Sequence, residues 1–291
     1  MSNTNPICTL LLAAAACLAG CHDADDTGLF SLSVSDAPVD NATAVVVEFT
    51  GVEIKPQDGT SLTFTFETPR QIDLLALHGG GSATLLDGVE VPAGAYEWIR
   101  LDVNAQQSVI DSYIMLEDGS QHSLWIPSGA ETGLKLVQGF VVPVGGSADF
   151  TIDFDLRKSV LNPAGLGGDY ILRPALRLVD NAQVGAIAGT VATSLIDSAC
   201  TPAVYVFSGA DSVPDDVDGD SGDPLTSARV ELNTGTGEYE YRAAFLAPAT
   251  YTVSFTCDAE QDDPALDDVL SFSGTQNATV VADQTTTVNF Q

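Results

Sequence analysis

An acidic stretch in the second half of the chain has the residue types and spacing of a cation-binding loop. Carboxylates alternate along Asp216-Val217-Asp218-Gly219-Asp220, and Asp223 follows. Alternating carboxylates of this kind can surround calcium with oxygen ligands. The stretch departs from the EF-hand pattern, because Ser221 takes the place of the turn glycine and the bidentate glutamate is missing. Two interpretations stay open: a calcium site formed by Asp216, Asp218, Asp220 and Asp223, or a solvated acidic loop. A second acidic segment, Asp258 to Asp268, either supplies further ligands or repels the first.

Side chains that usually carry enzymatic chemistry are few and widely spaced. The three histidines, His22, His78 and His122, form no HExxH motif and no spacing that places two on one metal, and no GxSxG motif occurs. Asp153 and Asp155 would suit a glycosidase, but they alternate on the polar face of a predicted strand, where nearby opposite charges explain them equally well. We therefore predict no catalytic residues, no enzyme activity and no cofactor other than the calcium considered above.

One pair of aromatic side chains is a candidate glycan platform. After Pro92 the chain enters a strand on which Ile99, Leu101 and Val103 share one face, while Tyr96 and Trp98 fall on the opposite face. Exposed aromatic rings one pleat apart can stack on sugars. The alternative is that both rings pack under a loop or against a second sheet.

Cys21 stands at the end of an apolar run that predicts where the protein is held. Ile7 to Ala19 is rich in Leu and Ala, too short for a permanent membrane span but suited to the core of a signal peptide. Leu18-Ala19-Gly20-Cys21 resembles the lipobox of bacterial lipoproteins, in which the cysteine becomes the first mature residue and carries diacylglycerol. The alternative is a conventional signal peptide with Ala19 at the cleavage site, which would make Cys21 an ordinary cysteine. Met1 to Pro6 lacks the lysine or arginine that usually begins a signal peptide of either kind.

The lipobox resemblance implies a lipid-anchored protein of the bacterial cell envelope. Lipoproteins retained in the inner membrane of enteric bacteria carry aspartate after the cysteine, whereas His22 follows here. The resemblance therefore favours the outer membrane. Its implied partner is the membrane, reached through the N-terminal lipid.

The remaining cysteines suit an oxidising compartment. Cys8 and Cys17 leave with the signal peptide and Cys21 carries the lipid, so that Cys200 and Cys257 remain in the mature chain. An even remainder favours a disulfide between them. The alternative is two buried thiols that do not meet.

Charge excludes one class of partner. The 291 residues contain 10 Lys and Arg against 40 Asp and Glu, a net charge of −30, which opposes nucleic acid and anionic lipid surfaces. We exclude a nucleic-acid partner and expect an envelope protein or a glycan instead. The length predicts two domains of ordinary size.

Residue periodicity predicts an all-β fold. Phe30, Leu32 and Val34 alternate with serines, as expected of a half-buried strand. Gly51 is placed where a bulge would divide the next strand, and Leu62 to Phe66 alternates as its hairpin partner. Phe150 to Leu156 alternates again. Many short strands with almost no helical periodicity predict β-sandwiches.

Six short blocks in the first half carry a family resemblance. They are Ser35-Asp36-Ala37-Pro38, Asp73-Leu74-Leu75, Pro92 to Tyr96 with Ile99-Arg100-Leu101, Thr132-Gly133-Leu134-Lys135, Asp153-Phe154-Asp155 with Ser159-Val160, and Leu172-Arg173-Pro174. In this order they resemble a bacterial family called domain of unknown function 4382, over about Gly28 to Asp180. The resemblance implies an immunoglobulin-like or transthyretin-like sandwich in an exported lipoprotein, with no established activity.

The second half resembles a different kind of sandwich. Gly237 to Tyr241, Phe245 to Pro248 and Tyr251 to Phe255 together resemble carboxypeptidase regulatory-like or collagen-binding B-type domains, although Ala249 replaces their turn glycine. We therefore predict a signal peptide at 1–20, a tether at 21–27, and two β-sandwich domains in tandem at 28–180 and 184–291. The predicted role is a non-catalytic binding or structural module, with a calcium- or glycan-binding surface protein as the alternative.

Overall fold

The computed structural model describes residues 26–37, 42–127, 133–162, 168–173 and 175–291. Strands account for 57% of the structure and helices for 8%, which confirms the predicted all-β class. The signal segment and Cys21 lie outside the described residues, as do Pro38, Thr132 and Pro174 of the family blocks.

The first unit contains thirteen strands among its described residues. Their bounds are β1 (Thr27–Ala37), β2 (Ala42–Pro56), β3 (Leu62–Asp73), β4 (Ala83–Pro92), β5 (Gly94–Asn104), β6 (Tyr113–Leu116), β7 (Gln121–Trp125), β8 (Leu134–Leu136), β9 (Phe140–Val142), β10 (Ser147–Asp155), β11 (Val160–Leu161), β12 (Tyr170–Leu172) and β13 (Leu176–Asp180). A short helix, α1 (Leu156–Ser159), follows β10, and 3-10 segments lie at Leu75–Gly80 and Asn181–Gln183.

Two sheets of the first unit pack face to face. One has the order β13-β10-β1-β4, with β1 parallel to β10, and the other contains nine strands centred on β2 and β5. Phe30, Leu32 and Val34 of β1 are fully buried between the sheets, which confirms the predicted alternation. Phe49 of β2 meets Phe154 of β10 edge to face across the core, with ring centroids 6.3 Å apart. The first unit is therefore a β-sandwich.

The bulge predicted at Gly51 is present. The register of β2 against both β3 and β5 shifts between Phe49 and Gly51. A Cβ at Gly51 would lie 2.8 Å from the Phe64 carbonyl oxygen, so that only glycine allows this close approach. The hairpin from β2 to β3 also forms as predicted.

The second unit is a smaller sandwich of eight strands. Their bounds are β14 (Gly185–Val191), β15 (Ala203–Ser208), β16 (Thr226–Arg229), β17 (Glu231–Asn233), β18 (Glu238–Leu246), β19 (Thr250–Thr256), β20 (Phe272–Thr279) and β21 (Thr285–Thr287), with 3-10 segments at Thr193–Leu195 and Ala259–Gln261. The two sheets have the orders β17-β18-β14-β21 and β16-β15-β19-β20. Ile187 and Leu246 from the first sheet and Val253 and Phe255 from the second share one core.

Candidate functional site

Helix α1 contacts the second unit, as does the 3-10 segment Leu75–Gly80 through His78. Asp155 caps its N-terminus by accepting a hydrogen bond from the Lys158 backbone N–H at 3.3 Å. The helix is only four residues long, and the chain leaves it at once in β11. This short turn presents the adjacent cations Arg157 and Lys158 to the second unit.

Arg157 is buried against the second unit. Its side chain is 3% exposed, and Nη1 donates a hydrogen bond to the Ala259 carbonyl oxygen at 2.7 Å. The same nitrogen lies 3.8 Å from Oδ2 of Asp262, and the guanidinium carbon lies 5.4 Å from the centre of the Tyr205 ring. Asp262 also accepts hydrogen bonds from the Tyr205 hydroxyl and, at 3.0 Å, from the Val217 backbone N–H. A charge of the first unit is thus neutralised inside the second.

Lys158 reaches the other acidic segment. Its Nζ lies 3.1 Å from Oδ2 of Asp223 and donates to the Pro224 carbonyl oxygen at 2.6 Å. Desolvation opposes ionisation of Asp223, but the Lys158 ammonium and hydrogen bonds to the carboxylate lower the pKa of Asp223 overall. We call Arg157 and Lys158, with Asp223 and Asp262, the interdomain clamp.

The structure rearranges the predicted calcium ligands. Asp223 accepts hydrogen bonds from the backbone N–H groups of Asp218 and Gly219, each at 3.2 Å, while its other oxygen pairs with Lys158. The side chain of Asp220 is exposed. Asp216 and Asp218 instead converge with Asp267 of the second acidic segment, and one carboxylate oxygen of each lies within 4.8 Å of the other two. The predicted set of four is therefore split, and Asp267 joins Asp216 and Asp218.

The predicted disulfide is present. Cys200 and Cys257 are bonded, with their Cα atoms 4.5 Å apart. Ala203 pairs with Thr256 in the antiparallel pair of β15 and β19, so that the two cysteines lie just beyond the same end of this pair. The disulfide joins strands that the sheet already holds together.

Tyr96 and Trp98 do not form an exposed pair, and the packed alternative describes Tyr96. Tyr96 is 3% exposed, stacks on Phe140 with centroids 4.7 Å apart, and donates its hydroxyl hydrogen to the Pro92 carbonyl oxygen at 2.7 Å. The register of β5 against β2 shifts between the pair Lys55–Trp98 and the pair Pro56–Tyr96, and this irregularity turns Tyr96 into the core. Trp98 is half-buried, with Lys135 Nζ 4.3 Å from its ring centre.

The side chains considered for catalysis make structural contacts. His78 lies 3.1 Å from Glu231 of the second unit, and His122 lies 3.0 Å from the Ser120 hydroxyl. Arg177 binds Asp153 through Nη2 at 2.5 Å and Nε at 3.2 Å, and Lys158 lies 4.0 Å from Asp155. Opposite charges therefore accompany both strand carboxylates. His22 lies outside the described residues.

Sequence reasoning missed the clamp. Arg157 and Lys158 are the single adjacent pair among the 10 Lys and Arg residues of the sequence, and the unit that follows has no lysine. Their partners Asp223 and Asp262 belong to the two acidic segments that the sequence did single out. Only the docking of the two units connects these signals.

The packing of two sheets places the first unit among β-sandwich domains. A family model described as Domain of unknown function (DUF4382) matches residues 27–174, slightly more than half of the chain. The chain belongs to this family, as the six blocks predicted. A comparison with curated proteins returned no match.

Solved structures show only distant likeness to the chain. The Bacillus anthracis TIE protein is 10% identical with a TM-score of 0.20, and the match covers 90% of this chain and 33% of that one. The minor pilin GBS52 of Streptococcus agalactiae is 11% identical with a TM-score of 0.20, covering 90% and 94%. The major pilin of Streptococcus pyogenes is 13% identical with a TM-score of 0.19, covering 90% and 97%. The chain thus spans a third of the first of these proteins.

Within the described ranges, none of the helices has the length and apolar character needed to cross a bilayer.

Proposed function

We propose that this protein is a non-catalytic structural and binding module of the bacterial cell envelope, anchored by a lipid on Cys21. The observation that carries the proposal is that the reactive side chains are engaged in holding the fold. Cys200 and Cys257 form the disulfide, His78 contacts Glu231, and Asp153 is bound by Arg177. These side chains therefore stabilise the folded protein, and none of them is held ready for a reaction.

The clamp supports a structural role for the pair of units. Arg157 is buried in contact with Ala259 and Asp262. Separating the units would therefore leave the charge of Asp262 without that of Arg157 beside it. A lipid at Cys21 would then hold both units together at the membrane. The second unit, with its two four-stranded sheets, is proposed to be a carboxypeptidase regulatory-like or collagen-binding B-type module. Its partner is an envelope protein or a glycan.

Metabolic labelling with an alkyne fatty acid tests the anchor. The full chain is expressed in a Gram-negative host, and membranes are separated on a density gradient. We expect label on the wild-type protein and its recovery in the outer-membrane fraction, while Cys21→Ser carries no label and leaves the membrane. An unlabelled wild type, or membrane retention of Cys21→Ser, would refute the lipid anchor. Labelled protein in the inner membrane would refute the location.

A further inference from the structure

Three carboxylates converge where the two acidic segments of the second unit meet. Asp216 and Asp218 lie in the first segment and Asp267 lies about fifty residues later in the second, yet one oxygen of each lies within 4.8 Å of the other two. Oxygens bound to one calcium ion, each 2.3–2.6 Å from it, are separated by distances of at most about 5 Å. The three side chains therefore have the chemistry and spacing of a partial calcium shell.

Asp216 supplies a second observation. It is 1% exposed, and its Oδ2 accepts a hydrogen bond from the Asp268 backbone N–H at 2.5 Å. Its Oδ1 is buried without a hydrogen-bond partner among the described residues. A buried carboxylate oxygen is costly unless a donor or a cation satisfies it. The fold therefore buries a carboxylate oxygen of Asp216 that a bound cation would satisfy.

The cations of α1 pair with other carboxylates. Lys158 forms ion pairs with Asp155 and Asp223, and Arg157 forms an ion pair with Asp262. Negative charges at this separation repel one another unless a cation lies between them.

We propose that Asp216, Asp218 and Asp267 bind a calcium ion that bridges the two acidic segments. Asp216 is the buried ligand, Asp218 is half-buried, and Asp267 closes the site from the exposed side. Water completes the shell on that side, because calcium takes six to eight oxygen ligands. Because the site is open on one side, we expect it to bind calcium weakly, as extracellular calcium-binding modules do, with a Kd on the order of 10⁻⁴–10⁻³ M.

The proposed ion would also support the clamp. Val217 follows Asp216 and donates its backbone hydrogen to Asp262, the carboxylate beside Arg157. Asp268 follows Asp267 and donates to Asp216. Fixing Asp216 and Asp267 therefore fixes the two backbone segments that carry these hydrogen bonds. Amide exchange at Val217 and Asp268 should slow in the presence of calcium.

Calorimetry and thermal unfolding of the full chain in detergent test the site. After chelator treatment, millimolar calcium chloride should release or absorb heat of binding and raise the melting temperature by a few degrees. Magnesium chloride and sodium chloride of matched ionic strength should have a smaller effect, which separates binding from screening of the acidic surface.

Matched variants locate the ligands. Asp267→Asn changes an exposed residue, so that folding is preserved, and should raise the calcium Kd by about tenfold or more. Asp220→Asn makes the same charge change at an exposed position of the first acidic segment and should leave the Kd within about twofold. Four results would overturn the proposal: no binding heat with wild type, an unchanged Kd in Asp267→Asn, an equal response to magnesium, or an equal rise of the Kd in both variants. Equal loss in both variants would show that net charge alone attracts the ion.

Discussion

At the scale of single residues, Asp36 is the least satisfied charge in the first unit. It lies at the end of β1, is 6% exposed, and neither carboxylate oxygen accepts a hydrogen bond of ordinary geometry from the described residues. Burial raises the pKa of Asp36 well above its usual value, and the nearby carboxylates of Asp153 and Asp155 raise it further. Burial likewise raises the pKa of Asp155 to about 6.

Replacing Asp36 with asparagine should flatten the pH dependence of stability. A carboxyl whose pKa is higher in the folded state than in the unfolded state stabilises the fold fully below about pH 4 and loses that contribution as pH rises through the folded pKa. We expect Asp36→Asn to match wild type near pH 4 and to exceed it by about 1–3 kcal/mol near pH 7. Thermal unfolding between these pH values measures the difference.

The matched control for this prediction is Asp58→Asn, at an exposed turn position. It should leave the pH profile unchanged. Parallel profiles for wild type and Asp36→Asn would show that Asp36 is already ionised at no cost in the folded protein.

At the scale of elements, we expect the contacts of α1 to couple the unfolding of the two units. Arg157 is the buried cation opposite Asp262, and removing one partner of a buried ion pair costs about 3–5 kcal/mol because the other charge is left uncompensated. Arg157→Ala should therefore separate a single denaturation transition into two and lower the first midpoint. Urea unfolding, followed by the fluorescence of the tryptophans in the first unit and by circular dichroism, measures this.

Arg173→Ala is the control for the clamp. Arg173 is an exposed arginine on the same unit, and its replacement should change stability by no more than about 0.5 kcal/mol. If Arg157→Ala unfolds in one transition with the midpoint of wild type, the clamp does not couple the units.

The elements also show what the sequence could predict. The alternation on β1 and the bulge at Gly51 were predictable, because the period of two and the missing Cβ are local properties. Strand β4 was not predicted, since the buried pair Leu85 and Leu86 interrupts its alternation. The inward turn of Tyr96 was also missed, because no glycine marks the irregularity in β5.

The candidate site was only partly predictable for a different reason. Asp216 and Asp218 are close in sequence and were predicted together. Asp267 belongs to the second acidic segment, which the sequence offered as one source of further ligands, but its place beside Asp216 and Asp218 depends on the packing of two loops about fifty residues apart. Lys158 reaches Asp223 only after the units have docked. Contacts of this kind depend on tertiary geometry, which residue spacing does not encode.

At the scale of the whole molecule, charge imbalance should make stability depend on salt. The chain contains forty acidic and ten basic residues, and Arg229 and Arg242 are the only basic residues after position 180. Repulsion among exposed carboxylates destabilises the folded chain, and salt shortens its range from about 10 Å at 0.1 M to about 3 Å at 1 M. The buried contact between Arg157 and Asp262 is screened much less. Added sodium chloride should therefore weaken repulsion more than it weakens the clamp.

We expect the melting temperature to rise by several degrees between about 0.05 and 0.5 M sodium chloride and then to level off. Screening is nearly complete once the Debye length falls below the spacing between surface charges. Thermal unfolding across this range in the presence of chelator measures the effect without contribution from calcium. A rise that continues linearly to high salt would indicate exclusion of salt from the surface instead. A falling melting temperature would mean that exposed ion pairs outweigh the repulsion. That result would contradict a stabilising role for the buried contact between Arg157 and Asp262 in a molecule whose surface charges repel one another.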